Sequence, residues 1–126
     1  MNLFQTGNFK LHSGQTSGFK IECDALKPRD IKTIAIWIKN KFIFGDVVGI
    51  PKGGYALAQE LRQYQHSKSN TLLIVDDVIT SGTSMEVHRN LYTDADGETG
   101  GPIIGVVVFS RCKCPNWIHP IFQMWE

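Results

Sequence analysis

Long apolar runs, internal repeats and a dominant charge are all missing from this sequence. The apolar runs are far too short to span a bilayer. A formal net charge of +1 gives no bulk attraction to nucleic acid or to a membrane surface. Residues 1–5 lack the basic and long apolar regions of a signal peptide, so a cytoplasmic setting is the expectation. Cysteine is scarce: Cys23, Cys112 and Cys114 are the whole set. An odd number without a secretion signal favours free thiols over a disulfide framework. Cys112 and Cys114 stand near His119, but the spacing is C-x-C and a fourth ligand is not evident, so a structural role is preferred to a zinc site.

What is present suits one folded unit. The chain has 126 residues, 42% of them hydrophobic and 20% charged, enough for a single core. Residues 1–26 are expected to form a small β hood and residues 27–126 an α/β core. In the hood, the stretch from Phe9 to Asp24 reads as two short strands around a turn at Ser13 to Gly18, with Phe19, Ile21 and Cys23 alternating against Lys20, Glu22 and Asp24.

From Pro28 onward, helix and strand alternate. Pro28 suits a first helical turn, and Ile31, Ile34, Ala35, Ile38 and Phe42 recur at helical spacing toward an end near Phe44 and Gly45. Val47 to Ile50 is a short apolar strand, followed by Lys52, Gly53 and Gly54 and then a helix over Tyr55 to Leu61. Thr71 to Val75 is a second buried strand, expected to end at Asp76 and Asp77. A helix follows over Ser81 to Thr93, then a loop over Thr93 to Pro102. There Asp94, Asp96 and Gly97 imitate a calcium loop with its glycine and closing glutamate misplaced. Ile103 to Phe109 is a third strand with Ser110 and Arg111 at its end. Pro115 to Pro120 reads as a turn and Ile121 to Trp125 as a last short strand. This order predicts a parallel sheet with helices on its faces, and such sheets bind ligands beyond the carboxyl ends of their strands. Lys52, Asp76, Asp77, the segment Thr80 to Ser84 and Arg111 all fall at those ends.

The most informative stretch is Thr71 to Met85. An apolar strand is followed by two carboxylates, then by Thr80, Ser81, Gly82, Thr83 and Ser84 at a helix N-terminus. Unpaired N–H groups and the positive helix end attract phosphate, and carboxylates can hold sugar hydroxyls or a hydrated divalent cation. Three other readings fit less well. A Walker B strand needs an upstream Gly-x₄-Gly-Lys-Ser/Thr loop, and there is none. A receiver domain carries its acidic pair on the first strand, whereas elements precede the pair here. Helix capping alone needs one such residue, not four hydroxyls with two acids.

Leu72 to Ser84 resembles the phosphoribosyl-pyrophosphate (PRPP) signature of the type I phosphoribosyltransferases. Phe9, Leu11, Ser13, Gly14 and Ser17 are similar to the N-terminal stretch of the orotate branch, and Gly49 to Gly54 resembles its pyrophosphate loop. The resemblance implies transfer of ribose 5-phosphate from PRPP to a nucleobase, orotate or another pyrimidine, with release of pyrophosphate. It implies Asp76 and Asp77 as catalytic residues on the ribose, and as indirect partners of Mg²⁺ through water or PRPP. It places the 5′-phosphate on Thr80, Ser81, Gly82, Thr83 and Ser84, pyrophosphate on Lys52, Gly53 and Gly54, and the base near His12, Ser13, Phe19 and Arg111. Two departures stand out. The family's long mobile loop has no counterpart, since only Tyr64 to Asn70 is available, with Lys68 as its one lysine. His12 also stands where orotate enzymes commonly place lysine. A weak or inactive PRPP- or nucleotide-binding regulatory protein is therefore the alternative. An edge strand bared by the shortened loop would favour pairing with another chain, as in a homodimer.

Overall fold

The structure, a computed structural model, describes residues 2–10, 16–93 and 100–124. Four parallel strands form the central sheet: β3 (Asp46–Gly49), β4 (Leu72–Ile79), β5 (Ile103–Ser110) and β6 (Ile118–Gln123), in that spatial order. Three helices accompany it: α1 (Pro28–Lys41), α2 (Tyr55–Leu61) and α3 (Thr83–Leu91). A separate antiparallel pair, β1 (Phe4–Lys10) and β2 (Thr16–Ile21), makes the hood. No helix among the described residues is long and apolar enough to cross a membrane.

Period-two alternation along β4 divides the core. Leu73 and Val75 point to the side where Ala35 and Ile38 of α1 meet Leu57, Ala58 and Leu61 of α2. Ile74 points to the other side, where Met85 of α3 packs with Val107 and Ile118. Beyond the acidic pair the phase inverts: Val78 joins the first cluster and Ile79 the second. Both faces are therefore covered, as expected of parallel strands that read as continuous apolar runs.

Several boundaries differ from the sequence reading. β4 does not stop at Asp76. It continues to Ile79 because β5 stays beside it, with Asp76 opposite Val107, Val78 opposite Phe109 and Ile79 opposite Ser110. Helix α1 ends at Lys41, before Phe44. The Phe42 N–H makes the last helical bond to Ile38, and the chain then turns extended so that Phe44 enters the core at 1% exposure. The first hood strand starts at Phe4, and the second already at Thr16, inside the expected turn, where the ladder with Phe9 and Lys10 holds it. Helix α3 is shorter at both ends than expected. β6 begins at Ile118 and so contains Pro120, which an edge strand tolerates because one side of its backbone needs no ladder bond. The calcium-like residues Asp94, Asp96 and Gly97 lie outside the described residues.

Candidate active site at the carboxyl ends of the strands

The parallel sheet brings three loops to one end. The turn after β3 carries Lys52, Gly53 and Gly54, with a cis peptide between Pro51 and Lys52. It folds tightly onto β4. A Cβ on Gly54 would run into the Val75 carbonyl and the Ile50 backbone, and one on Gly53 would run into the Asp77 carboxylate. The glycines are thus what allows the lysine turn to lie against the acidic pair.

Asp76 is 9% exposed. Its Oδ1 accepts the Asp77 N–H at 2.8 Å, and Asp77 Oδ1 accepts the Val78 N–H at 2.7 Å. Burial, with the charge of Asp77 next to it, pushes the Asp76 carboxyl up to about 8. Two adjacent carboxylates within a largely buried strand are a site that a cation or a positively charged ligand would relieve.

The loop after β4 leads into α3 through Gly82, whose φ of 85° is in the left-handed region. Gly82 is the N-cap and has no side chain to bond the first-turn amides, and no other side-chain bond to them is found among the described residues. Ser81 Oγ and Thr83 Oγ1 lie 3.2 Å apart instead. The hydroxyls of this loop therefore do not cap the helix, which removes the capping explanation for them. The loop, the lysine turn and both carboxylates line one cavity of about 300 Å³.

A second cavity of about 790 Å³ opens under the hood and shares Lys52, Gly53, Asp77 and Thr80 with the first. Lys10, Glu22, Cys23, Asp24 and Arg111 also line it. Arg111 follows the last residue of β5. Its guanidinium lies 3.8 Å from the centroid of the Phe19 ring and donates to Ser17 Oγ at 3.1 Å and to the Phe19 carbonyl. Phe19 also stacks on Phe4, with ring centroids 5.3 Å apart. Phe19 and Arg111 are thus brought together, and Arg111 shares the cavity with Asp77, whereas His12 and Ser13 lie outside the described residues.

Lys10, Glu22, Asp24 and Cys23 were not singled out as site residues from sequence. The strand alternation of Phe19, Ile21 and Cys23 carried a faint signal. Which face of the hairpin meets the sheet was not written in it. Burial, with the Asp77 charge as a further cause, pushes the Cys23 thiol up to about 12.

No group of three or more metal-ligating side chains occurs among the described residues. Cys112 and Cys114 pack on the α3 side of the sheet, whereas the His119 ring lies tilted against Phe42 of the α1 side, with centroids 5.1 Å apart. A further cavity of about 350 Å³ sits at the opposite end of the sheet, by Asp46, Asn70 and Tyr92. It holds neither the acidic pair nor the hydroxyl loop.

The connection between α2 and β4 is fixed at that opposite end. The His66 N–H donates to the Phe44 carbonyl at 2.8 Å, and the Gln65 amide donates to the Gly45 carbonyl and to Asp46, each at 3.1 Å. From Thr71 to Asp76 the strand rises about 16 Å. Lys68, just before Thr71, starts from the far end of that span.

Solved structures share this fold. UMP synthase from Leishmania donovani superposes with a TM-score of 0.71 at 16% identity, over 97% of this chain and 34% of that one. This chain therefore spans about a third of that protein's length. Orotate phosphoribosyltransferase from Aeropyrum pernix gives 0.69 at 20% identity, over 96% of this chain and 88% of that one. The Mycobacterium tuberculosis orotate phosphoribosyltransferase, in complex with inorganic phosphate, gives 0.62 at 15% identity, over 94% and 86%. No protein-family model matches the chain, and no curated protein matches it in sequence. The fold is that of the type I phosphoribosyltransferases, most like the orotate branch.

Proposed function

We propose that the protein is a phosphoribosyltransferase acting on PRPP and a nucleobase, orotate or another pyrimidine. One observation carries the reading: the acidic pair, the uncapped hydroxyl loop and the lysine turn line a single cavity at the carboxyl ends of a parallel sheet. Solved proteins of the same fold include orotate phosphoribosyltransferases, which supports the choice of reaction.

In the proposed reaction a ring nitrogen of the base attacks C1 of PRPP. The new C1–N bond forms as the C1–O bond to pyrophosphate breaks, and the nitrogen's proton leaves. Positive charge builds on the ribose ring in the transition state. Asp76 and Asp77 would hold the ribose hydroxyls and balance that charge. The first-turn amides of α3 and the hydroxyls of Thr80, Ser81, Thr83 and Ser84 would hold the 5′-phosphate, with Gly82 allowing close approach. Lys52 and the backbone of Gly53 and Gly54 would hold the leaving pyrophosphate. The base would sit under the hood, by Phe19 and Arg111.

The donor set suits Mg²⁺. Two carboxylates without a third ligand do not form a protein cage for a metal, but Mg²⁺ is commonly held by one or two carboxylates, waters and substrate phosphates. Asp76 and Asp77 would hold the ion through water or PRPP. When bound, it neutralises charge on the departing pyrophosphate.

A second reading has its own observation. The α2–β4 connection is pinned to the far end of the sheet, so the segment that could have covered the pyrophosphate does not reach it. Slow turnover, or PRPP or nucleotide binding without turnover, would follow. Incubation with PRPP, Mg²⁺ and a panel of bases separates the two. Nucleotide and pyrophosphate in equal amounts from any base support the enzyme. PRPP binding with no product from any base supports the regulatory protein.

A further inference from the structure

Arg111 is rooted in the sheet and ends in the hood. Its backbone N–H donates to the Ile79 carbonyl at 2.9 Å, which fixes it beside the last residue of β4. The preceding Ser110 is fully buried, and its carbonyl accepts the Met124 N–H at 2.7 Å. From this base the side chain crosses to residues 92 and 94 positions away in sequence. One guanidinium nitrogen donates to the Ser17 hydroxyl and the Phe19 carbonyl, and the guanidinium carbon lies over the Phe19 ring.

The receiving side is built for it. Ser17 is only 5% exposed, and its Oγ also accepts the Phe19 N–H at 3.2 Å. Phe19 is held on its own strand pair by the stack with Phe4. The hood is a two-stranded sheet separate from the central one, and an isolated two-stranded sheet is at best marginally stable. Leu3 and Ile21 tie it to the core by apolar contact, which is non-directional. The Arg111 contacts add direction: two hydrogen bonds from one guanidinium nitrogen and a cation over the Phe19 ring fix the angle at which β2 lies over the cavity.

We propose that Arg111 is a positioning residue that latches the hood over the larger cavity through Ser17 and Phe19. It acts on the base by holding β2, whose Lys20 and Ile21 line that cavity, rather than as a reader of the base's acidic groups. This inference rests on the proposed phosphoribosyl transfer only for its effect on the base. The latch itself concerns the hood.

Hydrogen exchange and ligand affinity test it together on the full chain. Arg111→Met should raise exchange of the amides of β1 and β2 at least tenfold and leave those of β4 and β5 unchanged. Arg111→Lys keeps the charge but loses the guanidinium that reaches Ser17 and covers the Phe19 ring, and should recover only part of the protection. Ser17→Ala should give the same pattern with a smaller amplitude, and it serves if the methionine variant does not fold. In turnover or binding assays, KM or Kd for the base should rise about tenfold, with the Kd for PRPP within twofold of wild type. Unchanged exchange in β1 and β2 in both Arg111→Met and Ser17→Ala would overturn the latch. A raised KM with unchanged hood exchange would show direct reading of the base instead. If wild type binds no PRPP, the functional reading fails, and the exchange measurement still decides the latch.

Discussion

At the scale of single residues, Asp76 sets stability against binding. Its carboxyl is buried with Asp77 beside it and titrates near 8, far above an ordinary aspartate. The folded state therefore prefers the protonated form. That contribution is complete below about pH 4, where the unfolded chain also holds the proton, and is lost as pH rises through about 8. Asp76→Asn, isosteric with the protonated acid, should melt higher than wild type at pH 8 and close to it at pH 4. It should lose PRPP affinity at least tenfold at every pH, a stability–function trade-off of a familiar kind. Thermal melts at the two pH values, with a PRPP titration, check this. Gly53 makes the second case. A methyl group there meets the Asp77 carboxylate, so Gly53→Ala should force the lysine turn away from β4. Affinity for pyrophosphate should fall more than affinity for ribose 5-phosphate, which competition binding with the two fragments would reveal.

The elements show what could be read in advance. Helix α2, the course of α1, the body of β4 and the existence of β5 were legible, because their apolar spacing and flanking glycines or prolines agree with their final environment. The end of β4 was not. Two adjacent aspartates look like a strand terminus, yet the ladder with β5 carries the backbone three residues further, to Ile79. Tertiary pairing overrode a local polarity signal there. Pro120 misled in the same way, because sequence does not tell an edge strand from a turn. The hydroxyl loop was legible as a segment entering a helix N-terminus, but its decisive detail is conformational: the N-cap is Gly82 at positive φ, not a serine or threonine. Gly82→Ala should cost about 1 kcal/mol of stability in a chemical denaturation curve, since an alanine there is strained. It should also cost 5′-phosphate affinity, because the loop must then shift.

For the whole molecule, the division of labour is between the two ends of one sheet. The carboxyl ends hold the acidic pair, both glycine loops and the Arg111 bridge to the hood. The amino ends hold the pinned α2–β4 connection, where Gln65 and His66 bind the chain entering β3. That the connection is short was visible from length alone. Its attachment to the far end was not, since it depends on Phe44 and Gly45, some twenty residues earlier in the chain. Truncating a core side chain between the ends should destabilise the whole: Leu73→Ala, at a fully buried position, should cost about 2–5 kcal/mol in denaturant unfolding. The most direct test of the central claim is a calorimetric titration of the wild-type chain with PRPP in Mg²⁺, repeated with chelator and with Asp76→Asn plus Asp77→Asn. One-to-one binding that needs Mg²⁺ and disappears in the double variant is the predicted result. No binding by wild type, or binding that survives the double substitution, would contradict it.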